Sequence, residues 1–408
     1  MVLEAHIGPG ALQGVRVVDF GWVLAGPYAT MLLGYLGAEI IKVESRRRID
    51  EQRVAHRAGL SENFDASSNF LEVNLNKRSV SINLSKPEGA ALARRLVALS
   101  DVVIENMRPG VMERLGLGYK ALAQVKPNII MASISGWGSA GPLREYTAYA
   151  PCFASFSGIG HLTGYSDEEP NTGTSSNDAR SGTAAAFSVL MALVLRQRTG
   201  QGQYIDLSSC EALNTLIGDR MMQFMMSGRS PVRSGNDDAG MAPHNCYRCI
   251  GDDKWISIAV ATDSEWQSLL TAMGRPPSLD DAIFATSRGR RQNRHSLDAL
   301  IEEWTRRHEA MALMELLQRH GVAAVPSFNA EELFTNPHLL ERGAISETRH
   351  PVLGTRRAIA PPWKMSATPP RITRTAPLLG EDNQYVLNEL LGLSEGEVQQ
   401  LAEAKVVY

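Results

Sequence analysis

Short apolar segments alternate with helical segments along the first 140 residues of the sequence. The β-branched runs at 15–20 and 39–44 are typical of strands, and residues 28–37 have the pattern of a helix that opens on Gly26 and Pro27. A strand, a helix and a second strand within about thirty residues form a βαβ unit, whose two strands are parallel. The pattern therefore predicts a parallel sheet in this part of the chain.

The same rhythm continues, with strands predicted at 79–84, 101–105 and 128–134 and helices at 87–99 and 119–126. Polar or glycine-rich residues follow each predicted strand. In doubly wound sheets, ligands bind at the carboxyl ends of the strands. We therefore expect a doubly wound α/β domain whose ligand site lies at that edge of the sheet.

Residues 178–228 are predicted to be mostly helical, with a strand at 204–208 and a methionine-rich helix at 211–226. The longest apolar stretch, 183–195, is bounded by Arg180 and Arg196. A membrane span needs about 20 apolar residues, so this stretch favours a buried helix and no membrane segment.

The pattern changes again after residue 227. A strand at 255–260 and helices at 264–273 and 295–320 lack the βαβ rhythm, which predicts a smaller α+β domain. Residues 344–376 are rich in Pro, Arg and Thr and are predicted to be an extended connection before a helical stretch at 382–404.

Composition narrows the possible functions. The 408 residues are 44% hydrophobic and carry a formal net charge of -3, which is typical of a soluble enzyme and gives no basic field for nucleic acid. Four cysteines are too few for a disulfide framework, and residues 1–14 lack the pattern of a signal peptide, so a cytoplasmic location is expected. The 35 glycines indicate many tight turns close to a ligand or to another backbone segment.

Several common site motifs are missing from the sequence. It has no GxGxxG after the first strand, no GxxxxGK[ST] and no HExxH, which disfavours a bound nicotinamide, ATP or catalytic metal. The pair Cys246 and Cys249 has the spacing of a redox or zinc motif, but no second pair accompanies it, which favours a structural role. The sequence therefore predicts no metal and no permanently bound cofactor.

One carboxylate has an unusual setting. Asp178 stands among small residues, in the run TGTSSNDARSG at 172–182, directly before the apolar helix. From this pattern alone the favoured interpretation is a helix cap, because aspartate at that position accepts backbone N–H bonds. The alternative is a nucleophile, since small neighbours let an acyl carbonyl approach the carboxylate.

Seven ordered motifs resemble the class III CoA-transferases, the family of formyl-CoA, carnitine-CoA and benzylsuccinate CoA-transferases, and the resemblance extends from about residue 12 to 408. The motifs are GVRVVDF at 14–20, VLAGPYATMLLGYLGA at 23–38, IKVE at 41–44, NKRS at 76–79, ENMRPGVMERLGLG at 105–118, RTGQGQ at 198–203 and PLLGE at 377–381.

The resemblance implies an interlocked dimer whose subunits each have a Rossmann-like doubly wound large domain, formed by both chain ends, and a smaller α+β domain. On this sequence the implied boundaries are 1–226 for the first part of the large domain, 227–343 for the small domain with its linker, and 344–408 for the return linker and the remainder of the large domain. A heteromer with a related subunit is the other implied assembly.

The resemblance also implies a role for Asp178 and for CoA as substrate. An aspartate at this place attacks the donor thioester and forms a mixed anhydride. The released CoA thiolate then gives an aspartyl-CoA thioester and the free donor acid, and an incoming carboxylic acid repeats the steps in reverse. Keeping the acyl carbon activated in this way removes the need for ATP.

The family's CoA-binding positions fall on identifiable residues of this sequence. Leu24 and Ala25 are expected along the pantetheine path, Asn83 and Leu84 after the third strand, and Tyr149 near the thioester. The nucleotide end is expected at Asn106 and Arg114. Cations for the phosphates are expected from four residues near strand ends: Lys77, Arg78, Arg108 and Arg114. The arginines at 46–48 are further candidates.

Three departures from the family pattern stand beside these expectations. Asn177 replaces the glycine that commonly precedes the aspartate, and Asp382 replaces a common histidine. Leu24 replaces the glutamine of some formyl-CoA enzymes, which disfavours an oxalate-like acceptor. Leu24 and three aromatic residues instead suggest an apolar or aromatic acceptor acid, such as benzylsuccinate, with a succinyl-CoA-like donor. The aromatic residues are Trp137, Phe153 and Phe156.

Two other functions stay open at this point. The family includes α-methylacyl-CoA racemases, but the segment matching their histidine offers Tyr149 and no histidine here, so a proton relay is poorly served. A non-catalytic or structural subunit of a heteromeric transferase is the second alternative, because some relatives pair two related chains.

Overall fold

The computed structural model describes residues 10–54, 63–172 and 176–408. These residues divide into two compact units. The larger unit takes its residues from Met1–Gly160, Thr172–Arg229 and His338–Tyr408, and the smaller from His161–Asn171 and Ser230–Pro337.

The larger unit is built on a six-stranded sheet in the order β3-β2-β1-β4-β5-β6, and every neighbouring pair is parallel. The predicted parallel α/β sheet is therefore confirmed. Its strands are β1 (Arg16–Asp19), β2 (Glu39–Glu44), β3 (Lys77–Ser81), β4 (Val102–Glu105), β5 (Ile130–Ser135) and β6 (Gln203–Ser208). The third strand begins two residues earlier than the sequence predicts.

Helices cover both faces of this sheet, which explains why strands such as β1 and β4 carry apolar side chains on both sides. The helices of this region before the long apolar helix are α1 (Ala25–Tyr35), α2 (Glu51–Val54), α3 (Ser68–Val73), α4 (Pro87–Ala98), α5 (Val111–Arg114), α6 (Tyr119–Val125), α7 (Ala150–Phe156) and α8 (Ile159–Leu162). Those after it on the way to the smaller unit are α10 (Ser209–Asn214) and α11 (Gly218–Ser227).

A buried ion pair lies beneath the first strands. The Nζ atom of Lys77 is 2.9 Å from Oδ2 of Asp19, and both side chains are fully buried. Lys77 also donates to the carbonyl of Pro27 and to the side chain of Asn74. Burial alone would raise the pKa of Asp19, but the ammonium groups of Lys77 and Lys42 and a hydrogen bond from Thr30 lower that pKa below its ordinary value.

The long apolar helix is α9 (Ser176–Thr199), and by length and composition alone it could cross a membrane. Its small side chains, such as Ala185 and Val189, are buried against α1 in the core. Its opposite face leaves Phe187 64% and Met191 54% exposed. The expectation of a buried helix is thus correct for one face only, because apolar residues occupy the other face as well.

The C-terminal segment differs from the prediction in two places. Residues 344–376 are not a plain extended connection, because β10 (Ile345–His350) and β11 (Gly354–Ile359) pair as an antiparallel hairpin that turns at Gly354, where φ is +69°. After the short helix α17 (Pro337–Glu341) and this hairpin, the predicted helix at 382–404 is broken: a π-helical segment, Tyr385–Leu390, precedes α18 (Glu395–Glu403).

The smaller unit has a three-stranded antiparallel sheet in the order β7-β8-β9, formed by β7 (His244–Arg248), β8 (Trp255–Ala259) and β9 (Ala323–Pro326). Trp266 and Tyr247 lie in its core, with helices packed around them. The helices are α12 (Asp263–Ala272), α13 (Ser287–Gln292), α14 (Arg294–Thr305), α15 (Ala310–Arg319) and α16 (Ala330–Thr335).

Candidate active site

A cavity of about 330 Å³ opens in the larger unit at the carboxyl ends of β1, β4 and β5. This is the edge of the sheet where the sequence predicts a ligand site. The walls come from the segments that follow those strands, from residues 144–150 and from the first turn of α9. Its lining residues include Trp22, Val23, Leu24, Ala25, Arg48, Glu51, Asn106, Arg108, Ser135, Trp137, Arg144, Tyr149, Phe153 and Asp178.

Asp178 is the carboxylate that α9 contributes to this cavity. It lies in the first turn of a helix that begins at Ser176, so it is not the residue before the helix and the favoured interpretation as a cap is wrong. Its side chain is half-buried and has no hydrogen-bond or ion-pair partner within residues 10–54, 63–172 and 176–408. Burial raises the pKa of Asp178 above its ordinary value. A more basic carboxylate without a partner is a better nucleophile.

Gly182 explains how α9 comes so close to the start of α1. A Cβ atom on Gly182 would lie 2.6 Å from the carbonyl oxygen of Ala25, a distance that no side chain tolerates. Asp178 precedes Gly182 by about one helical turn, on the same face of α9. The glycine therefore lets the carboxylate approach the segment that follows β1.

That segment is held rigidly. The Nδ2 atom of Asn106 donates to the carbonyl of Trp22 at 2.8 Å, and the Trp22 N–H donates to Oδ1 of Asn106 at 2.7 Å. Val23 has φ +61°, which is costly for a β-branched residue, and its N–H donates to Asp50 at 3.2 Å. Since α1 begins at Ala25 without a side-chain cap, its first N–H groups are left for another acceptor.

Asn177, which replaces the glycine that commonly precedes the aspartate, makes a contact in this structure. Its side chain is fully buried, and Nδ2 donates to the carbonyl of Ala150 at 3.1 Å. Ala150 begins α7 and follows Tyr149, which also lines the cavity. The asparagine thus connects the first turn of α9 to the opposite wall of the cavity, a contact that glycine could not make.

Asp382 has a structural setting. It accepts hydrogen bonds from the backbone N–H of Ser79 at 2.9 Å and from the guanidinium groups of Arg78 and Arg374. The second departure therefore fastens the C-terminal segment to β3 and does not reach the cavity.

The structure gathers part of the predicted site. Six residues line the cavity: Leu24, Ala25, Asn106, Arg108, Tyr149 and Asp178. Five lie outside its lining: Lys77, Arg78, Asn83, Leu84 and Arg114. Of the arginines at 46–48, Arg48 lines the cavity and stacks on the ring of Trp22 with its guanidinium carbon 4.7 Å from the ring centroid.

Lys77 is the clearest correction among the five. Its ammonium group is fully buried and satisfied by Asp19, Pro27 and Asn74, so it has no donor left for a phosphate and we leave it out of the CoA site.

The other four stay predictions for parts of CoA beyond the cavity, although two have partners of their own. Arg78 binds Asp382 and Glu39, and Asn83 bonds the backbone near Val406.

Sequence reasoning missed Ser135 and Arg144 as cavity residues. The signal for Ser135 was available, because it ends β5 and the carboxyl end of each strand faces the site. Arg144 lies in a turn after Gly141, where no periodic pattern indicates direction.

Glu105, at the end of β4, is buried immediately before Asn106, and Oε2 accepts the N–H of Met107 at 2.7 Å. Burial raises its pKa from 4.5 to about 7, although hydrogen bonds from Ser133 and Met107 counteract the shift. Its folded-state pKa exceeds the unfolded value, so the free energy of unfolding decreases as pH rises through this window.

We expect Glu105→Gln, which keeps the acceptor but cannot ionise, to gain stability relative to the parent protein between pH 5 and pH 8, by on the order of 2–3 kcal/mol. Urea unfolding across that range measures the difference. Glu303→Gln, at an exposed position, is the control and should show no such trend. A constant difference between the Glu105 variant and the parent would contradict the expectation.

Comparison with known proteins places these observations in context. A family model described as CoA-transferase family III matches residues 12–383. The sequence is 35% identical over 401 residues to the succinyl-CoA–D-citramalate CoA-transferase of Chloroflexus aurantiacus, covering 98% of each chain. It is 33% identical to the alpha subunit of the succinyl-CoA–L-malate CoA-transferase from the same organism, over 97% of this chain and 92% of that one. The crystal structure of a CaiB/BaiF family protein from Brucella suis matches with a TM-score of 0.86 at 31% identity, covering 94% of this chain and 100% of that chain.

Proposed function

The chain belongs to CoA-transferase family III, and we propose that it transfers CoA from a succinyl-CoA-like donor to a carboxylic acid through covalent intermediates on Asp178. Acyl-CoA thioesters and free acids are then its substrates. The observation that carries the mechanism is the carboxylate of Asp178, which has no partner among the described residues and lies in a cavity at the carboxyl edge of the sheet.

In the first half of the reaction, a carboxylate oxygen of Asp178 attacks the thioester carbonyl and the C–S bond breaks. CoA leaves as the thiolate, and a mixed anhydride remains. The thiolate then attacks the aspartyl carbonyl of the anhydride, which gives an aspartyl-CoA thioester and the free donor acid. No proton needs to be supplied in these steps, because one anion is consumed and one is released each time.

In the second half, the carboxylate of the acceptor attacks the aspartyl thioester and again releases the CoA thiolate. The thiolate attacks the acceptor's carbonyl in the new anhydride, which forms the product thioester and restores Asp178. Each attack places negative charge on a carbonyl oxygen. The uncapped N–H groups at the start of α1, beside Leu24 and Ala25, support stabilisation of that charge, and the clamp between Asn106 and Trp22 fixes their direction.

The charged side chains of the cavity suit anionic substrates. Arg48, Arg108 and Arg144 line it together with two carboxylates, Glu51 and Asp178. The relatives are named for succinyl-CoA with D-citramalate or L-malate, which supports a succinyl donor and a polar aliphatic acceptor here. An aromatic acid of the benzylsuccinate type is the other candidate, since Leu24, Trp137 and Phe153 also line the cavity.

Incubation with succinyl-CoA and a panel of acids tests the proposal. We expect new CoA thioesters, with release of succinate, from D-citramalate, L-malate, glutarate or benzylsuccinate, measured by liquid chromatography and mass spectrometry. Failure of every acid, with succinyl-CoA left intact, would contradict the transferase function for this chain alone. Recovery of activity on adding a related chain would support the heteromeric alternative.

The racemase alternative has less support. There is no histidine among the described residues that line the cavity, so no imidazole is positioned there to transfer an α-proton. Exchange of the α-proton of a 2-methylacyl-CoA in D₂O, measured by NMR, would reinstate it.

A dimer is also part of the proposal, as an interlocked homodimer or with a related chain. The exposed face of α9 and the methionine-rich helix α11 support it, because Met225 and Met226 are 76% and 82% exposed in the single chain. We expect light scattering to give about twice the 44.5 kDa of one chain, and Met226→Glu to weaken association. A monomer that is fully active would contradict this assembly.

A further inference from the structure

The segment that follows β1, residues 21–24, enters the cavity in a strained conformation. Val23 has φ +61°, in the left-handed region that a β-branched side chain adopts only at a cost. Such a conformation persists only where surrounding contacts hold it. Leu24 and Ala25 come directly after it and line the cavity that holds Asp178. The contacts that hold Val23 therefore also set the position of the next two N–H groups.

Asp50 is the side chain that holds Val23. Its Oδ1 atom accepts the N–H of Val23 at 3.2 Å and that of Gln52 at 3.0 Å. Asp50 is 4% exposed, and it is not among the described residues that line the cavity. It therefore acts on the reaction only through the backbone that it holds.

Lys42 supplies the counter-charge for this carboxylate. Its Nζ atom lies 3.4 Å from Oδ2 of Asp50 and donates to the carbonyl of Gly21 at 2.6 Å. Burial alone would lower the pKa of Lys42, but three neighbouring carboxylates, that of Asp19 foremost, raise this pKa above its ordinary value. The ammonium group thus stays charged and contacts the segment at its first residue, while Asp50 contacts it at the third.

The two N–H groups beyond Val23 are free to bind a substrate oxygen. Neither Leu24 nor Ala25 donates its N–H to another residue in the described part of the chain, because α1 begins there without a side-chain cap. Gly182 lets α9 pack against Ala25 and so brings the carboxylate of Asp178 to this place. Donors stabilise the oxyanion of an attacked carbonyl only when their direction is fixed beforehand.

We propose that Asp50 is a positioning residue for CoA transfer, with Lys42 as its counter-charge. It locks Val23 in the left-handed conformation and so directs the next two N–H groups toward the carbonyl that Asp178 attacks. The inference rests on the proposed function and assigns to that reaction two residues outside the described lining of the cavity. Loss of Asp50 then slows the chemical steps more than it weakens substrate binding.

The test removes the hold on Val23 and then removes the need for it, with initial rates of thioester formation from succinyl-CoA as the measurement. Asp50→Ala should lower kcat about tenfold and change KM for succinyl-CoA less than about twofold. Val23→Gly introduces a residue that adopts positive φ at little cost. In that background Asp50→Ala should therefore lower kcat only about threefold relative to Val23→Gly alone.

Asp101→Ala is the matched control. Asp101 also accepts a backbone N–H, that of Arg16 at 2.8 Å, and also pairs with a cation, Arg196. It precedes β4 at the amino edge of the sheet, however, whereas the cavity lies at the carboxyl edge. This variant should keep the kcat of the parent protein.

If circular dichroism shows that Asp50→Ala does not fold, Asp50→Asn replaces it. The amide conserves the size of the side chain but loses the charge that Lys42 balances, so it holds the N–H of Val23 more weakly. It should lower kcat about threefold, and Val23→Gly should again reduce the loss.

Three results would overturn the positioning role and leave the transferase function intact. They are a folded Asp50 variant with the kcat of the parent protein, a loss expressed mainly in KM, and a loss of kcat that is equally large with and without Val23→Gly. A parent protein that forms no new thioester with any acid would instead overturn the proposed function, and the positioning role with it.

Discussion

Asp178→Asn is expected to lower kcat for CoA transfer by about 10³-fold or more, because the amide cannot attack the thioester and form the anhydride. The substitution conserves the size of the side chain, and Asp178 has no partner in the described part of the chain whose loss would disturb the fold. KM for succinyl-CoA should change little, since the residues proposed to bind CoA are elsewhere. Initial rates of thioester formation measure both constants.

A second readout identifies the intermediate itself. Hydroxylamine added to the working enzyme should convert the activated aspartyl group of the parent protein into a hydroxamate at Asp178, detected by peptide mass spectrometry. Asp178→Ala is a second variant, because the asparagine of Asp178→Asn can slowly deamidate back to aspartate and alanine cannot. Asp280→Asn, a carboxylate of the smaller unit paired with Arg275, is the control and should retain full activity. Normal transfer by Asp178→Ala would refute the mechanism.

Lys77→Met is expected to lower the free energy of unfolding by about 3–5 kcal/mol, because it removes the ammonium group that is ion-paired with the buried carboxylate of Asp19 and leaves only the weaker attraction of Lys42. Asp19 also holds the N–H of Gly21 at 2.7 Å and the hydroxyl of Thr30, so its charge cannot simply move to water. Equilibrium unfolding in urea, monitored by circular dichroism, measures the loss.

Two further variants separate the effect of this charge from ordinary loss of packing. Adding Asp19→Asn to Lys77→Met removes the remaining charge and should restore part of the stability. Arg16→Met breaks a pair with Glu39 whose side chains are 24% and 27% exposed, and it should cost about 1 kcal/mol. If Lys77→Met costs no more than Arg16→Met, the buried pair has no special role.

Lys77 also shows where sequence reasoning fails. In the sequence it is a basic residue near a strand end, which is a common setting for a phosphate ligand. Its actual partner, Asp19, is 58 residues away, and only the parallel pairing of β1, β2 and β3 brings the two together. Burial of a charged side chain depends on such distant contacts, so no local pattern predicts it.

The features that could be predicted depend on short-range regularities. The alternation of strands and helices fixed the parallel sheet, and small residues around Asp178 indicated access to a carboxylate. The hairpin at 345–359 was missed because it lies within the longer stretch 344–376, which is rich in proline and arginine, although its turn rests on one glycine with positive φ. That the buried polar atoms of Ser135 and Trp137 have no partner among the described residues could not be predicted, because an absent partner has no sequence signature.

The bond between the third strand's end and the last residues has a consequence for biosynthesis. The N–H of Asn83 donates to the carbonyl of Val406, Ile82 pairs with Val407, and both valines lie in the core beneath the sheet. On a ribosome that adds about 5–20 residues per second, β3 must wait for roughly twenty to sixty seconds before these partners emerge. During that time the part of the core that Val406 and Val407 complete is uncovered, so we expect this region to be the last of the larger unit to become stable.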